Sequence, residues 1–224
     1  MRTLTHDEAK SFYDRFGAKQ DRQAFYEARA LQAILTHASL DQAHSVLEFG
    51  CGTGRFALEL LQRHLPEDAR YLGTDISSTM VSIASERLKP YASRASVALT
   101  NGPPILLAED ASVDRLISTY VFDLLPDSER KQFLAEASRV LRPGGMLCLA
   151  GITSGTTPVS RVVMSAWQWL FARSPHVVGG CRPTRAVEYL PAEFWQTRYR
   201  EVVVSWGVAS EVVIASPQTP GARA

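Results

Sequence analysis

Nowhere in its 224 residues does the chain carry a run of about 18 apolar side chains, so no segment reads as a membrane-spanning helix. Residues 1–10 are polar and lack the apolar stretch of a secretory signal, and the expected location is cytoplasmic. Cysteine is scarce: Cys51, Cys148 and Cys181 are far apart and odd in number. That excludes a disulfide framework and gives no paired zinc ligands, so reduced thiols and no metal site are expected. Charge of one sign is also missing, with 24 Lys and Arg against 23 Asp and Glu. A chain so balanced offers no basic footprint for a phosphate backbone, and nucleic acid is not an expected partner. There are no repeats, low-complexity tracts or long like-charge runs.

What is present is an ordinary globular balance, 46% apolar and 21% charged, at a length suited to one α/β domain with a small appendage. From residue 45 to 151, short β-branched runs alternate with helical patterns, the rhythm of βαβ units building a parallel sheet. Strands are predicted at 46–49, 71–74, 96–99, 113–119 and 146–150. The first helix presents Ala57, Leu58, Leu61 and Leu65 inward and stops at Pro66. The second starts at Ser77, with Met80, Ile83, Ala84, Arg87 and Leu88 on one face. The third is capped by Asp127, turns Phe133, Leu134, Ala137, Val140 and Leu141 inward, and ends before Pro143-Gly144-Gly145. Runs 201–206 and 211–215 are joined by only four residues, too few for a parallel crossover, which makes them an antiparallel hairpin.

The expected fold is therefore α/β: a Rossmann-like, doubly wound sheet with an antiparallel C-terminal hairpin. Two N-terminal helices, 4–16 and 21–38, precede it, and a helical insertion comes before the last two strands. The expected division of 1–224 is a helical cap at 1–40, a cofactor-binding core at 45–151, a substrate lid at 152–198 and the hairpin at 199–216. The tail from residue 217 is expected to fray.

Gly50, Gly52 and Gly54 follow a strand directly and open a helix, where main-chain N–H groups can face a ligand with no Cβ in the way. A dinucleotide fingerprint would place its third glycine where this chain has Arg55. Glu48, just before the turn, disfavours a bare pyrophosphate and attracts a ligand carrying an ammonium and a sulfonium. Asp75, at the end of the second strand, stands where an acid reaches the ribose hydroxyls of an adenosine cofactor.

Three segments in order, Val46-Leu47-Glu48-Phe49-Gly50-Cys51-Gly52-Thr53-Gly54, Gly73-Thr74-Asp75-Ile76-Ser77 and Leu141-Arg142-Pro143-Gly144-Gly145, resemble the successive signatures of class I S-adenosylmethionine-dependent methyltransferases. The resemblance spans about residues 45–151 and implies a seven-stranded sheet with its last strand antiparallel. It implies S-adenosylmethionine as cofactor. Glu48 and the turn of Gly50, Cys51, Gly52 and Gly54 would hold the methionine portion, Asp75 the ribose, and Ile76 with Met80 the adenine face. Met80 equally fits a core position. Where the family often has an acid for the adenine amino group, this chain offers Asn101, or Gly102 with backbone contacts alone. Tyr13 resembles the segment that folds over the cofactor in several small-molecule and lipid-headgroup methyltransferases.

Methyl transfer is an in-line displacement in which positioning supplies much of the acceleration, so a dedicated base is optional. After the fourth strand, Tyr120 and Asp123 are the best-placed polar groups for a catalytic role, with Tyr120 also lining the cofactor. Asp123-Leu124 stands where many quinone-modifying relatives have a histidine pair. Tyr26, Trp167, His176 and Arg182 are candidate acceptor-binding residues. In the insertion, Val162, Val163, Ala166, Trp169 and Leu170 recur at helical spacing. They fit core packing, an apolar pocket wall, or an interfacial membrane helix with Arg161 and Arg173 at its ends.

The expected activity is methyl transfer to a small, partly apolar acceptor, a phospholipid headgroup or quinone-like compound, with a membrane-associated lipid among the expected partners. The alternatives are a thiol acceptor and a regulatory protein that binds S-adenosylmethionine without catalysis.

Overall fold

The computed structural model describes residues 3–218, so most of the tail expected to fray lies outside them. The helices and strands follow in the order α1 (His6–Phe16), α2 (Ala24–His37), β1 (Ser45–Phe49), α3 (Arg55–Arg63), β2 (Arg70–Asp75), α4 (Ser78–Arg87) and β3 (Ala95–Leu99). After them come β4 (Val113–Thr119), α5 (Asp127–Val140), β5 (Leu141–Ile152), α6 (Pro158–Arg173), β6 (Trp195–Ser205) and β7 (Val208–Pro217). The strands form one seven-stranded sheet in the order β3-β2-β1-β4-β5-β7-β6. β1 to β5 are parallel, and β7 runs antiparallel to both β5 and β6.

Alternate residues of the central strands serve two cores. On one face Val46 and Ile117 pack with Ala30, Ile34, Phe56 and Leu60 of α2 and α3. On the other, Leu47 and Leu116 pack with Phe133, Leu134 and Val140 of α5. Burial on both faces is why these strands read as apolar runs. Buried Arg115 donates from Nη2 to the Ser39 carbonyl, fixing the chain end of α2 against β4.

Several local expectations are corrected. Asp127 does not cap α5. Pro126 occupies the cap position with no side-chain bond, and the Asp127 carboxylate accepts from Arg130 and Tyr189. α3 ends at Arg63, before Leu65. β5 begins at Leu141, because Pro143-Gly144-Gly145 is carried inside the strand. The hairpin turns at Trp206 and Gly207, both at positive φ, and its strands are longer than expected. α6 buries Ser160, Met164 and Phe171, while Val162, Ala166, Trp169 and Leu170 face outward, neither core nor pocket wall.

Candidate active site

The chain order reverses between β1 and β4, and the crevice at their carboxyl ends is where ligands bind in open α/β sheets. A cavity opens there, walled by Phe49, Gly50 and Gly52 after β1, Asp75 and Ile76 after β2, and Tyr120 and Val121 after β4. Gly50 has φ +79, and a Cβ on it would stand 2.2 Å from Val121 Cγ2, so only glycine fits. Asp75 closes the turn: its Oδ2 accepts from the Gly52 N–H at 2.9 Å and its Oδ1 from the Ser77 N–H at 2.9 Å. Burial pushes its pKa up to about 6 against the pull of these bonds.

Beside it lies a smaller, more polar cavity lined by Gln20, Glu27, Glu48, Cys51 and Arg55. Glu48 is buried, and Tyr71 donates to its Oε2 at 2.6 Å. Burial raises its pKa to about 7. Glu27 is raised to about 7 by burial, opposed by Arg55, whose Nη2 donates to its Oε2 at 2.8 Å. Gln20 Oε1 is buried without a partner, and it stands 2.5 Å from where a Cβ of Gly52 would lie. A leftover carbonyl oxygen, two buried carboxylates and a guanidinium match the ammonium and carboxylate of an amino-acid moiety.

The N-terminal helices form the roof. Asp14 accepts from the Ser77 hydroxyl and the Thr79 N–H, tying α1 to the start of α4. Although burial works the other way, bonds from Lys10, Ser77 and Thr79 hold Asp14 well below the usual carboxylate range. Asp21 bridges Thr53 and Arg87, with Arg87 Nη2 donating at 2.7 Å. His6 of α1 meets Glu129 of α5 at 3.0 Å, and both line the main cavity.

Tyr120 sits in the left-handed region, φ +57, at the end of β4. Such strain in a buried non-glycine residue is found where a side chain must be aimed. Its hydroxyl pairs with Ser210 Oγ at 2.9 Å, and its ring packs edge-on to Tyr26, 5.6 Å between centroids. Burial raises the phenol's pKa far above its ordinary value. Tyr13 lines the same cavity, donates to the Gly179 carbonyl at 3.1 Å, and is likewise raised by burial and then by Cys181 and Asp123.

The structure sorts the sequence-predicted residues. Gly50, Gly52, Asp75, Ile76, Gly102, Tyr13 and Tyr120 line the main cavity, and Glu48 and Cys51 the adjoining one. Gly54 lies outside both, closing the turn against Ala84. Asn101 points to solvent, whereas Gly102 lines the cavity. Met80 is core, 1% exposed. Asp123 is buried behind the cavity wall with Oδ2 on the Ile152 N–H, and it faces a small void shared with Gly151 and Glu211. It does not reach the main cavity.

Tyr26 and Trp167 form a second layer behind Tyr120, with Trp167 Nε1 donating to the Cys181 carbonyl. Arg182 donates to the Leu125 carbonyl, and His176 is exposed on a turn after α6, so neither contacts the cavity. Sequence reasoning missed Gln20, Glu27, His6 and Glu129. Only the pairing of Glu27 with Arg55 carried a signal, since Arg55 was already anomalous for a dinucleotide turn.

A family model described as a methyltransferase domain matches residues 46–145. The ubiquinone/menaquinone biosynthesis C-methyltransferase UbiE of Geobacter sulfurreducens is 33% identical over 149 residues, 65% of this chain and 56% of that protein. The chain thus spans little more than half the length of that relative. A trans-aconitate 2-methyltransferase of Azoarcus sp. is 30% identical over 200 residues, covering 83% of this chain and 72% of that protein. Among solved structures, the N-methyltransferase NodS of Bradyrhizobium japonicum, in complex with S-adenosyl-L-homocysteine, superposes with a TM-score of 0.69 at 18% identity, covering 94% and 99% of the two chains. The 4+2 cyclase SpnF superposes with a TM-score of 0.73 at 16% identity over 96% of this chain and 97% of its own. At such identities the likeness concerns the fold.

Proposed function

The chain belongs to the class I S-adenosylmethionine-dependent methyltransferases, and on that footing we propose that it methylates a small, uncharged, largely apolar acceptor of quinone-like character. The observation that carries the acceptor class is the cavity wall. Leu4, Phe49, Val121, Leu124 and Leu125 line it, Asp75 and Glu129 are its acids, His6 is bonded to Glu129, and among the described residues no Lys or Arg lines it. A phosphate headgroup or a polycarboxylate such as trans-aconitate would meet Asp75 and Glu129 there with only the cofactor's sulfonium and His6 as counter-charge, at a cost in desolvation. A flat apolar ring meets no such penalty.

S-Adenosylmethionine, when bound, supplies an electrophilic methyl group on a sulfonium. Asp75, Glu48, Gln20 and Arg55 have the chemistry to hold its ribose, ammonium and carboxylate, and Ile76 and Gly102 leave room for the adenine. Tyr120 and Tyr13 remain neutral phenols, so they orient by donating hydrogen bonds and do not deprotonate. Asp123 acts from behind, fixing the Ile152 N–H at the end of β5. The cap at 1–40 roofs the acceptor with Leu4, His6, Ala9, Tyr13 and Gln20, and the insertion at 152–198 backs that wall from outside, through Trp167 behind Tyr26 and Gly179 against Tyr13.

The test incubates the protein with methyl-labelled cofactor and separate pools of quinones, phospholipids, thiols and polycarboxylic acids. Label in the quinone pool is expected. Label in the thiol or carboxylic acid pool would replace the acceptor class, and tight cofactor binding with no labelled product in any pool would favour a non-catalytic role.

A further inference from the structure

Among the described residues, the outer face of α6 has no partner. Val159, Val162 and Trp169 are 68%, 72% and 60% exposed, while Met164 and Phe171 hold the inner face to the protein. The tip of the β6–β7 hairpin rests on the same helix, since a Cβ on Gly207 would stand 2.8 Å from Val163 Cγ2. That tip presents Trp206, 82% exposed, in a left-handed turn position, φ +52, which Asn, Asp or Gly would normally fill. At that exposure the indole gains little packing against the described residues to offset the awkward backbone.

Charge identifies what covers this face. Between Glu136 and Glu188 the sequence contains no acidic residue, and the only charges on α6 are Arg161 and Arg173. Arg173 stacks its guanidinium 5.2 Å over the Trp169 ring. Arg29 flanks the hairpin, donating to the Val204 carbonyl. Exposed indoles and aliphatic side chains bordered by Arg161 and Arg173, with the acid Glu201 set back along β6 beside Arg29, have the composition of a helix lying in the headgroup layer of a membrane.

We infer that α6 and the Trp206 hairpin tip form one docking surface for an anionic lipid bilayer. The inference does not depend on which acceptor is methylated. Docking would reach the site through the inner side of the helix, where Trp167 packs on Tyr26 and Tyr26 on Tyr120.

The experiment is sedimentation of the full chain with vesicles of phosphatidylcholine alone and of phosphatidylcholine mixed with phosphatidylglycerol, at low and high salt. Binding to the mixed vesicles at low salt is expected, with a blue shift of tryptophan emission and release by salt. Trp169→Ser combined with Trp206→Ser should lower partitioning at least about tenfold. Arg161→Gln combined with Arg173→Gln should lower it about fivefold per arginine. Arg63→Gln, on α3, should change nothing. All these side chains are exposed, and circular dichroism verifies that each variant is folded. Absence of binding to the mixed vesicles, or equal losses in the Arg63→Gln control, would overturn the inference. So would sedimentation velocity showing a dimer that the tryptophan substitutions dissociate, since the face would then belong to a second copy of the chain.

Discussion

Glu48 is buried and Asp75 half-buried, and the two acids carry different burdens. Asp75 is held by the Gly52 and Ser77 N–H groups and shapes the turn, so removing it removes both geometry and an acceptor. Asp75→Ala should weaken S-adenosylmethionine binding by about 10–100-fold, the worth of a hydrogen bond to a charged group, as read by calorimetry. Glu48 has one bond, from Tyr71, and a pKa raised by burial to about 7. A bound ammonium favours the ionised form, so binding releases a proton below that value and affinity rises with pH through it. Glu48→Gln should reduce that slope and the proton release measured in buffers of different ionisation enthalpy; an unchanged slope would remove Glu48 from the site. Both acids were legible because they flank one strand–turn–helix segment, where sequence spacing is spatial proximity. His6, Gln20, Glu27 and Glu129 were not, because only tertiary docking brings the N-terminal segment carrying the first three against the crevice and against Glu129 of α5. Asp123 misled for the converse reason: a single step along the turn after β4 sends its side chain behind the wall.

Among the elements, the βαβ core was readable from apolar runs buried on both faces, and Val113–Thr119 was located to the residue. The start of β6 was not. It is the edge strand, and residues 196–198 are all exposed, so the alternation that marks a half-buried strand is lost there. Pro143-Gly144-Gly145 carries loop chemistry and is accommodated as an irregularity inside β5, with Gly144 at positive φ and the pairing to β4 shifting register across it. The hairpin tip supplies the sharpest element-scale test. A side chain forced into the left-handed region costs about 1–2 kcal/mol, less for Asn and nothing for Gly. Trp206→Asn should therefore raise the unfolding free energy by about 1 kcal/mol in denaturant titration. A loss of stability would mean that the indole packs usefully in the folded chain. A gain would show stability given up at a position with some other use.

At the scale of the whole molecule, holding three buried carboxylates and one half-buried in and around one crevice sets the pH dependence of the fold. Burial raises Glu27 and Glu48 to about 7 and Asp75 and Asp123 to about 6, all above their ordinary values near 4. Between the unfolded and folded pKa the native chain holds more protons than the unfolded one, so stability falls as pH rises. Asp14, Asp21 and Glu136 are lowered and act oppositely, but their window lies below the unfolded carboxylate values. From about pH 5 to about pH 8 the raised acids dominate, and the melting temperature of the ligand-free protein should decline steadily. A cation seated between Glu48 and Glu27 compensates the charge that burial disfavours. S-Adenosylmethionine should accordingly raise the melting temperature more at pH 8 than at pH 5, and S-adenosylhomocysteine, which keeps the ammonium and loses the sulfonium, should retain most of that difference. Scanning fluorimetry across this range with each ligand checks both statements. A melting temperature that climbs from pH 5 to pH 8 without ligand would show that these carboxylates are not held neutral by the fold, and the crevice would then lack the latent negative charge on which its choice of cofactor rests.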